Sequence, residues 1–157
     1  MNIKLLVVSK TDAKYLQEGI AIYEKRLGHY VKFDIEVVPA VKDAATMGPE
    51  AIKEKEGQQI LRHMEQADRV VLLDEHGTRH TSVGFSQYIQ KALNAGVRNM
   101  VFVVGGAYGF SKAVYDAAND KISLSDMTFN HQMVRLFFVE QLYRAFTIIR
   151  HEPYHNE

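Results

Sequence analysis

The chain of 157 residues contains no cysteine. Disulfides, thiolate metal sites and cysteine nucleophiles are therefore excluded, and cysteine usage gives no argument for secretion. Neither sign of charge is in excess: 19 lysines and arginines stand against 19 aspartates and glutamates, for a formal net charge of zero. Non-specific nucleic-acid binding rests on a net basic field. A nucleic-acid partner would have to be met by a local patch, by a composite surface across subunits, or as a pre-folded target. No apolar run is long enough to span a membrane, because Arg135, Glu140 and Arg144 interrupt the one long apolar stretch. The opening residues, 1–10, have too short an apolar core for a signal peptide and read better as a strand. A cytoplasmic location is the expectation. Prolines number only three. Pro39 ends a strand, Pro49 suits the first turn of a helix, and Pro153 fixes a backbone angle close to the end of the sequence.

What is present describes an ordinary globular protein, 46% hydrophobic and 24% charged. The length fits one domain over residues 1–157. Residues 3–9 are continuous and β-branched-rich, as a buried strand is. Asp12 is a plausible cap for a helix over 12–28, with Tyr15, Leu16, Ile20, Tyr23 and Leu27 at helical spacing. Strands follow at 33–38, 69–73, 99–104 and 121–124. Helices follow at 49–66, at 82–95 with Ser82 as cap and Gly96 as stop, at 111–119 and at 131–150. Residues 41–48 and 74–80 read as loops. Alternating strands and helices imply an α/β fold with right-handed crossovers, a mainly parallel sheet and helices on both faces.

The last third carries the strongest signals. The run from Val101 to Val104 breaks into Gly105-Gly106-Ala107-Tyr108-Gly109, and a strand that stops at paired glycines lets backbone approach a ligand closely. In an open α/β sheet that place lies at the carboxyl ends of the strands, where ligands bind. The loop is not a P-loop, since no Gly-Lys-Ser/Thr follows. Nor is it a dinucleotide fingerprint, which belongs after a first strand. Downstream, Leu124, Met127 and Phe129 could wall an apolar adenine slot, while Ser125, Thr128 and Asn130 offer hydroxyl and amide groups. His76 and His80 have an H-x3-H spacing but sit in a loop without a fixed third ligand, so no metal site is expected. The helix over 131–150 is apolar around nearly its whole circumference, whereas a one-sided surface helix would show a polar face. A homodimer through this helix, as a two-fold pair, is the expectation.

Together, Leu72-Leu73-Asp74, the segment 104–109, Leu124-Ser125-Asp126-Met127-Thr128-Phe129, His131-Gln132-Met133-Val134-Arg135, Glu140-Gln141-Leu142-Tyr143-Arg144-Ala145 and His151-Glu152-Pro153-Tyr154-His155 resemble the RlmH family. That family belongs to the SPOUT superfamily of S-adenosylmethionine-dependent RNA methyltransferases. The resemblance runs from Ile3 through the last of these motifs. It implies a single-domain SPOUT fold with a C-terminal trefoil knot, a homodimer, and N3-methylation of a pseudouridine in 23S ribosomal RNA within the assembled ribosome. By position, Leu73, Gly105, Gly106 and Leu124, Ser125, Asp126, Met127, Thr128 and Phe129 would hold the methyl donor.

Methyl transfer to N3 of a pseudouridine needs a general base, or a site that stabilises the anion left when the N3 proton departs. Tyr154, His155, His131 and Glu140 are the candidates, with the base unassigned. Arg135 and Arg144 would bind RNA phosphate or stabilise the anion, although Arg144 could equally pair with Glu140 at i, i+4. The competing reading is a nucleotide-binding α/β module, regulatory or ribosome-binding, without methyl transfer. A nicotinamide or flavin oxidoreductase is weakened by the missing fingerprint.

Overall fold

The computed structural model describes residues 1–156. Strands β1 (Asn2–Val8), β2 (Lys32–Val38), β3 (Arg69–Arg79), β4 (Asn99–Val104) and β5 (Asp120–Ser123) alternate with helices α1 (Lys14–Leu27), α2 (Pro49–Met64), α3 (Ser82–Asn94), α4 (Lys112–Ala117) and α5 (Met133–Ile149). A single 3₁₀ turn, Ala44–Thr46, interrupts the connection from β2 to α2. The strand order is β2-β1-β4-β3-β5, and every pairing is parallel.

Period-two alternation along the strands divides the interior into two layers. Met100, Phe102 and Val104 of β4 point to one face, with Ile3, Leu5 and Val7 of β1, and meet α1, α3 and α5. Val101 and Val103 point to the other, with Leu6 and Val8, and meet α2 and α4. Strands covered on both faces are apolar at every position, which is why they read as unbroken hydrophobic runs.

Three local expectations change. First, β3 does not stop at Leu73 but continues to Arg79. Leu73 and Thr78 both pair with Ile122 of β5, so the residues between them bulge outward. A Cβ on Gly77 would lie 2.6 Å from the Ile122 nitrogen, so only glycine lets the bulge close on β5. Second, α1 starts without a side-chain cap at Ala13, and the Asp12 backbone N–H donates to Gln132 Oε1 at 2.9 Å. Third, α3 is capped by Thr81, which accepts from the Gly84 N–H at 2.9 Å, while Ser82 Oγ donates to Gln141 Oε1 at 2.9 Å. Gly96 has the positive φ, 78°, of a helix stop.

Helix α5 lies against both α1 and α3. Arg135, Phe138, Val139, Leu142, Ala145, Phe146 and Thr147 are buried within the chain itself. Much of the all-round apolar pattern that argued for a second subunit is thus met internally. What is left unmet is a stripe centred on Phe137, 37% exposed, whose ring lies 4.6 Å from that of the equally exposed Phe129. No helix among the described residues is long and apolar enough to cross a membrane.

Candidate functional site

The exits of β3, β4 and β5 enclose a cleft of about 790 Å³, within the range of small-molecule sites. Leu73 and Val104, the last core residues of their strands, meet there with the glycine loop after β4, the loop after β5, and His131 and Val134 at the start of α5. The bulge of β3 adds Asp74, Glu75 and His76. Of the residues the sequence assigns to a donor, Leu73, Gly105, Gly106, Leu124, Ser125, Met127, Thr128 and Phe129 line this cleft. Asp126 does not: its exposed carboxylate pairs with Arg79.

The loop after β5 is shaped by its own hydroxyls. Ser125 Oγ accepts from the Met127 N–H at 3.0 Å, Ser123 Oγ donates to the Ser125 carbonyl at 2.9 Å, and Thr128 Oγ1 donates to Glu75 Oε2 at 3.0 Å. The last bond ties the loop to the β3 bulge across the cleft mouth. The glycine loop closes through a Gly109 N–H bond to the Gly106 carbonyl at 3.2 Å, with Gly109 at φ 83°.

Gly106 is explained differently from the sequence expectation. A Cβ there would lie 2.6 Å from both carboxylate oxygens of Glu56, a residue of α2 only 8% exposed. The glycine leaves room for a buried acid packed against the loop, not only for a ligand. Burial pushes the Glu56 carboxyl above the usual range, and its Oε1 has no hydrogen-bond partner among the described residues. Sequence reasoning missed Glu56, whose one signal is a neighbouring glycine inside a helix.

Asp74 adds an unmet acceptor. Its Oδ1 accepts from the His76 N–H at 3.0 Å, while its Oδ2 is buried with no partner at hydrogen-bond geometry among the described residues. The carboxylate is still close enough to Tyr115 to add to the effect of burial in raising that phenol's pKa. Among the described residues, no group of three histidine, aspartate or glutamate side chains is arranged to hold a metal ion. His76 lines the cleft, whereas His80 packs on the Tyr88 ring at 5.7 Å.

The charged residues of α5 part company. Arg135, assigned to RNA binding in the sequence reading, is 1% exposed, with its guanidinium turned into the fold. Its guanidinium donates to the carbonyls of Val8 (2.7 Å), Ser9 (2.9 Å) and His131 (3.0 Å) and to Thr11 Oγ1 (3.1 Å). It fastens the end of β1 to the start of α5. His131, beside it in the cleft, has its pKa lowered by burial and then by the Arg135 charge.

Further along the helix, Arg144 Nη2 donates to Glu140 Oε1 at 2.6 Å, the pairing expected from their spacing. The tail joins them. Tyr154 Oη donates to Glu140 Oε1 at 3.1 Å, Arg144 Nη1 lies 3.1 Å from His155 Nδ1, and the Arg144 guanidinium stands 4.7 Å over the Tyr154 ring. Burial, followed by bonds to Tyr23 and Glu140, holds the Tyr154 phenol well above its usual pKa. The tail is folded back rather than frayed. The turn responsible is a Schellman motif, with His151 N–H bonded to the Ile148 carbonyl and Glu152 N–H to that of Thr147. His151 occupies the left-handed position, φ 57°. Pro153, whose ring fixes its backbone angle, follows this turn.

The structure therefore brings the residues that the sequence reading assigned to a donor, Asp126 aside, together with His131, and gathers Glu140, Arg144, Tyr154 and His155 separately. The two groups are roughly 14 Å apart along α5, at 1.5 Å rise per residue.

The chain is similar to known proteins over its whole length. The family described as "Predicted SPOUT methyltransferase" matches residues 1–155. The ribosomal RNA large subunit methyltransferase H of Flavobacterium johnsoniae is 54% identical over 157 residues, covering 100% of both chains. That of Porphyromonas gingivalis is 52% identical, again over 100% of both. Among solved structures, a probable methyltransferase from Bordetella pertussis Tohama I superposes with a TM-score of 0.55 at 11% identity, covering 92% of this chain and 95% of that one, a likeness of fold alone. With its glycine loop and post-β5 loop meeting at one cleft and more than half its residues shared end to end with these relatives, the chain belongs to the SPOUT methyltransferase family.

Proposed function

We propose that the protein methylates N3 of a pseudouridine in 23S ribosomal RNA within the assembled ribosome, using S-adenosylmethionine, with residues 1–157 acting as one cytoplasmic domain carrying the family's trefoil knot. The observation that carries this reading is the meeting, in one cleft, of every donor-assigned residue except Asp126. The cleft fits the donor chemically. Leu124, Met127 and Phe129 offer an apolar wall for adenine, and the unmet Asp74 Oδ2 offers an acceptor for a ribose hydroxyl or an ammonium. When bound, a sulfonium donor supplies an electrophilic methyl carbon.

The chain's own residues position the base and manage its proton. His131, its pKa lowered, is available in the cleft to accept a proton at neutral pH. Tyr154 keeps its proton and acts as a donor to the developing anion or as a stacking surface. Glu140 orients Arg144 and Tyr154 together, and Arg144 presents its charge to the anion or to phosphate.

Because the tail lies so far along α5 from its own cleft, the reading includes a homodimer in which the tail of one protomer completes the cleft of the other. Phe129 at the cleft and Phe137 on α5, both exposed and in ring contact, support this face as the contact.

The test is incubation with radiolabelled S-adenosylmethionine and ribosomes lacking the modification, followed by mapping of the labelled nucleotide. Label at N3 of a pseudouridine in 23S RNA is expected. A folded protein that binds the donor yet labels no ribosomal RNA would overturn the proposal.

A further inference from the structure

At the end of the molecule where α1 and α5 both finish, arginines stand on tyrosine rings. The Arg26 guanidinium lies 5.3 Å from the centre of the Tyr23 ring and 5.5 Å from that of Tyr143. Arg150 lies 4.8 Å over Tyr30. Both arginines are exposed, and no ion pair engages either among the described residues. Lys25, His29 and His151 are exposed beside them. Of the acids nearby, Glu24 is half-buried, and the exposed Glu152 accepts from the Tyr30 hydroxyl at 2.5 Å.

Stacking fixes a guanidinium plane and covers its stem while leaving its edge donors free, an arrangement suited to bidentate contact with phosphate. The chain is neutral overall, so any purchase on a polyanion has to come from a patch of this kind. The patch also adjoins the tail, since the Tyr143 ring that supports Arg26 lies 4.8 Å from that of Tyr154.

We propose that Arg26 and Arg150, each held on a tyrosine ring and flanked by Lys25, His29 and His151, form the platform that grips the sugar-phosphate backbone of the RNA substrate next to the tail. This rests on the RNA methyl-transfer reading and adds where the RNA is held.

The rival explanation is local: both arginines sit at helix C-termini, where a cation offsets the helix dipole. The two are separated by Arg26→Gln, Arg150→Gln and the double variant of the full chain, assayed on unmodified ribosomes across a potassium chloride series. Thermal midpoints and calorimetric affinity for S-adenosylmethionine are measured in parallel. The platform predicts KM raised about ten- to a hundredfold in the double variant, with kcat and donor affinity retained. The salt dependence should also become shallower, by roughly 0.7–0.9 in log–log slope per lost phosphate contact. Arg26→Lys and Arg150→Lys should recover part of the loss. A KM within twofold of wild type, or a loss that tracks the thermal midpoint alone, overturns the platform. If the double variant does not fold, the Arg150→Gln single variant decides, with a several-fold rise in KM expected and no rise overturning it. Failure of the wild-type protein to methylate would instead strike the underlying reading.

Discussion

Arg135 and Arg144 occupy the same apolar helix and do opposite things. Arg135 is 1% exposed, meets only carbonyl oxygens and one hydroxyl, and has its pKa lowered by burial. Arg144 keeps 24% of its side chain exposed, bonds a carboxylate, and has its pKa raised by that bond. One cation holds the chain together; the other, paired with Glu140, stands over the Tyr154 ring. The difference lies in what each guanidinium meets, which residue type and helical position do not reveal.

Replacing each arginine should give opposite signatures. Arg135→Met would leave the carbonyls of Val8 and Ser9 without donors in a buried site, so stability should fall by about 3 kcal/mol or more. Urea denaturation checks this, and a loss below about 1 kcal/mol would mean the fastening is not energetic. Arg144→Ala should instead cost less, about 1–2 kcal/mol, because its pair with Glu140 is partly buried but still reaches water. Its single-turnover methylation rate should drop about a hundredfold, as expected for lost stabilisation of a developing charge. Equal unfolding in both variants would erase the distinction.

Glu56 sharpens the comparison from the other side, being buried like Arg135 but unsatisfied at Oε1. Its folded pKa is raised above the ordinary value, so its contribution is present in acid and lost as pH rises through the raised value. Glu56→Gln should therefore raise the thermal midpoint at pH 8 and leave it nearly unchanged at pH 4. A uniform shift across that range would show that ionisation is not the cause. The smallest effect is expected at the turn that delivers the tail to Arg144. His151→Gly should stabilise by about 0.5 kcal/mol, since relief of a left-handed residue slightly exceeds glycine's entropy cost. Calorimetry can read that change.

Much of this was legible because the strands are buried on both faces and announce themselves as apolar runs. The extension of β3 was hidden: polar residues 74–79 are strand only because β5 and Gly77 accept them. The cleft was legible through the glycines and the resemblance, but the reason for Gly106 was not, since Glu56 comes from a helix far away in sequence. Arg135 read as a ligand-facing cation because all but one of its partners are backbone atoms, which leave no mark in side-chain pattern. The burial of α5 was overestimated as evidence for a partner because α1 and α3 already cover most of it.

The bond from Arg135 to Val8 spans 127 positions of sequence. At ribosomal synthesis rates, the carbonyl is made roughly 6–25 s before the guanidinium that meets it. Through that interval the Val8 carbonyl lacks this donor, and β1 also waits for β4, its neighbour through Ile3 and Met100. The nascent chain therefore cannot settle its centre progressively from the first strand onward. Closure of so long a loop comes late, and the cleft at its seam exists only once nearly all of the sequence is available to fold.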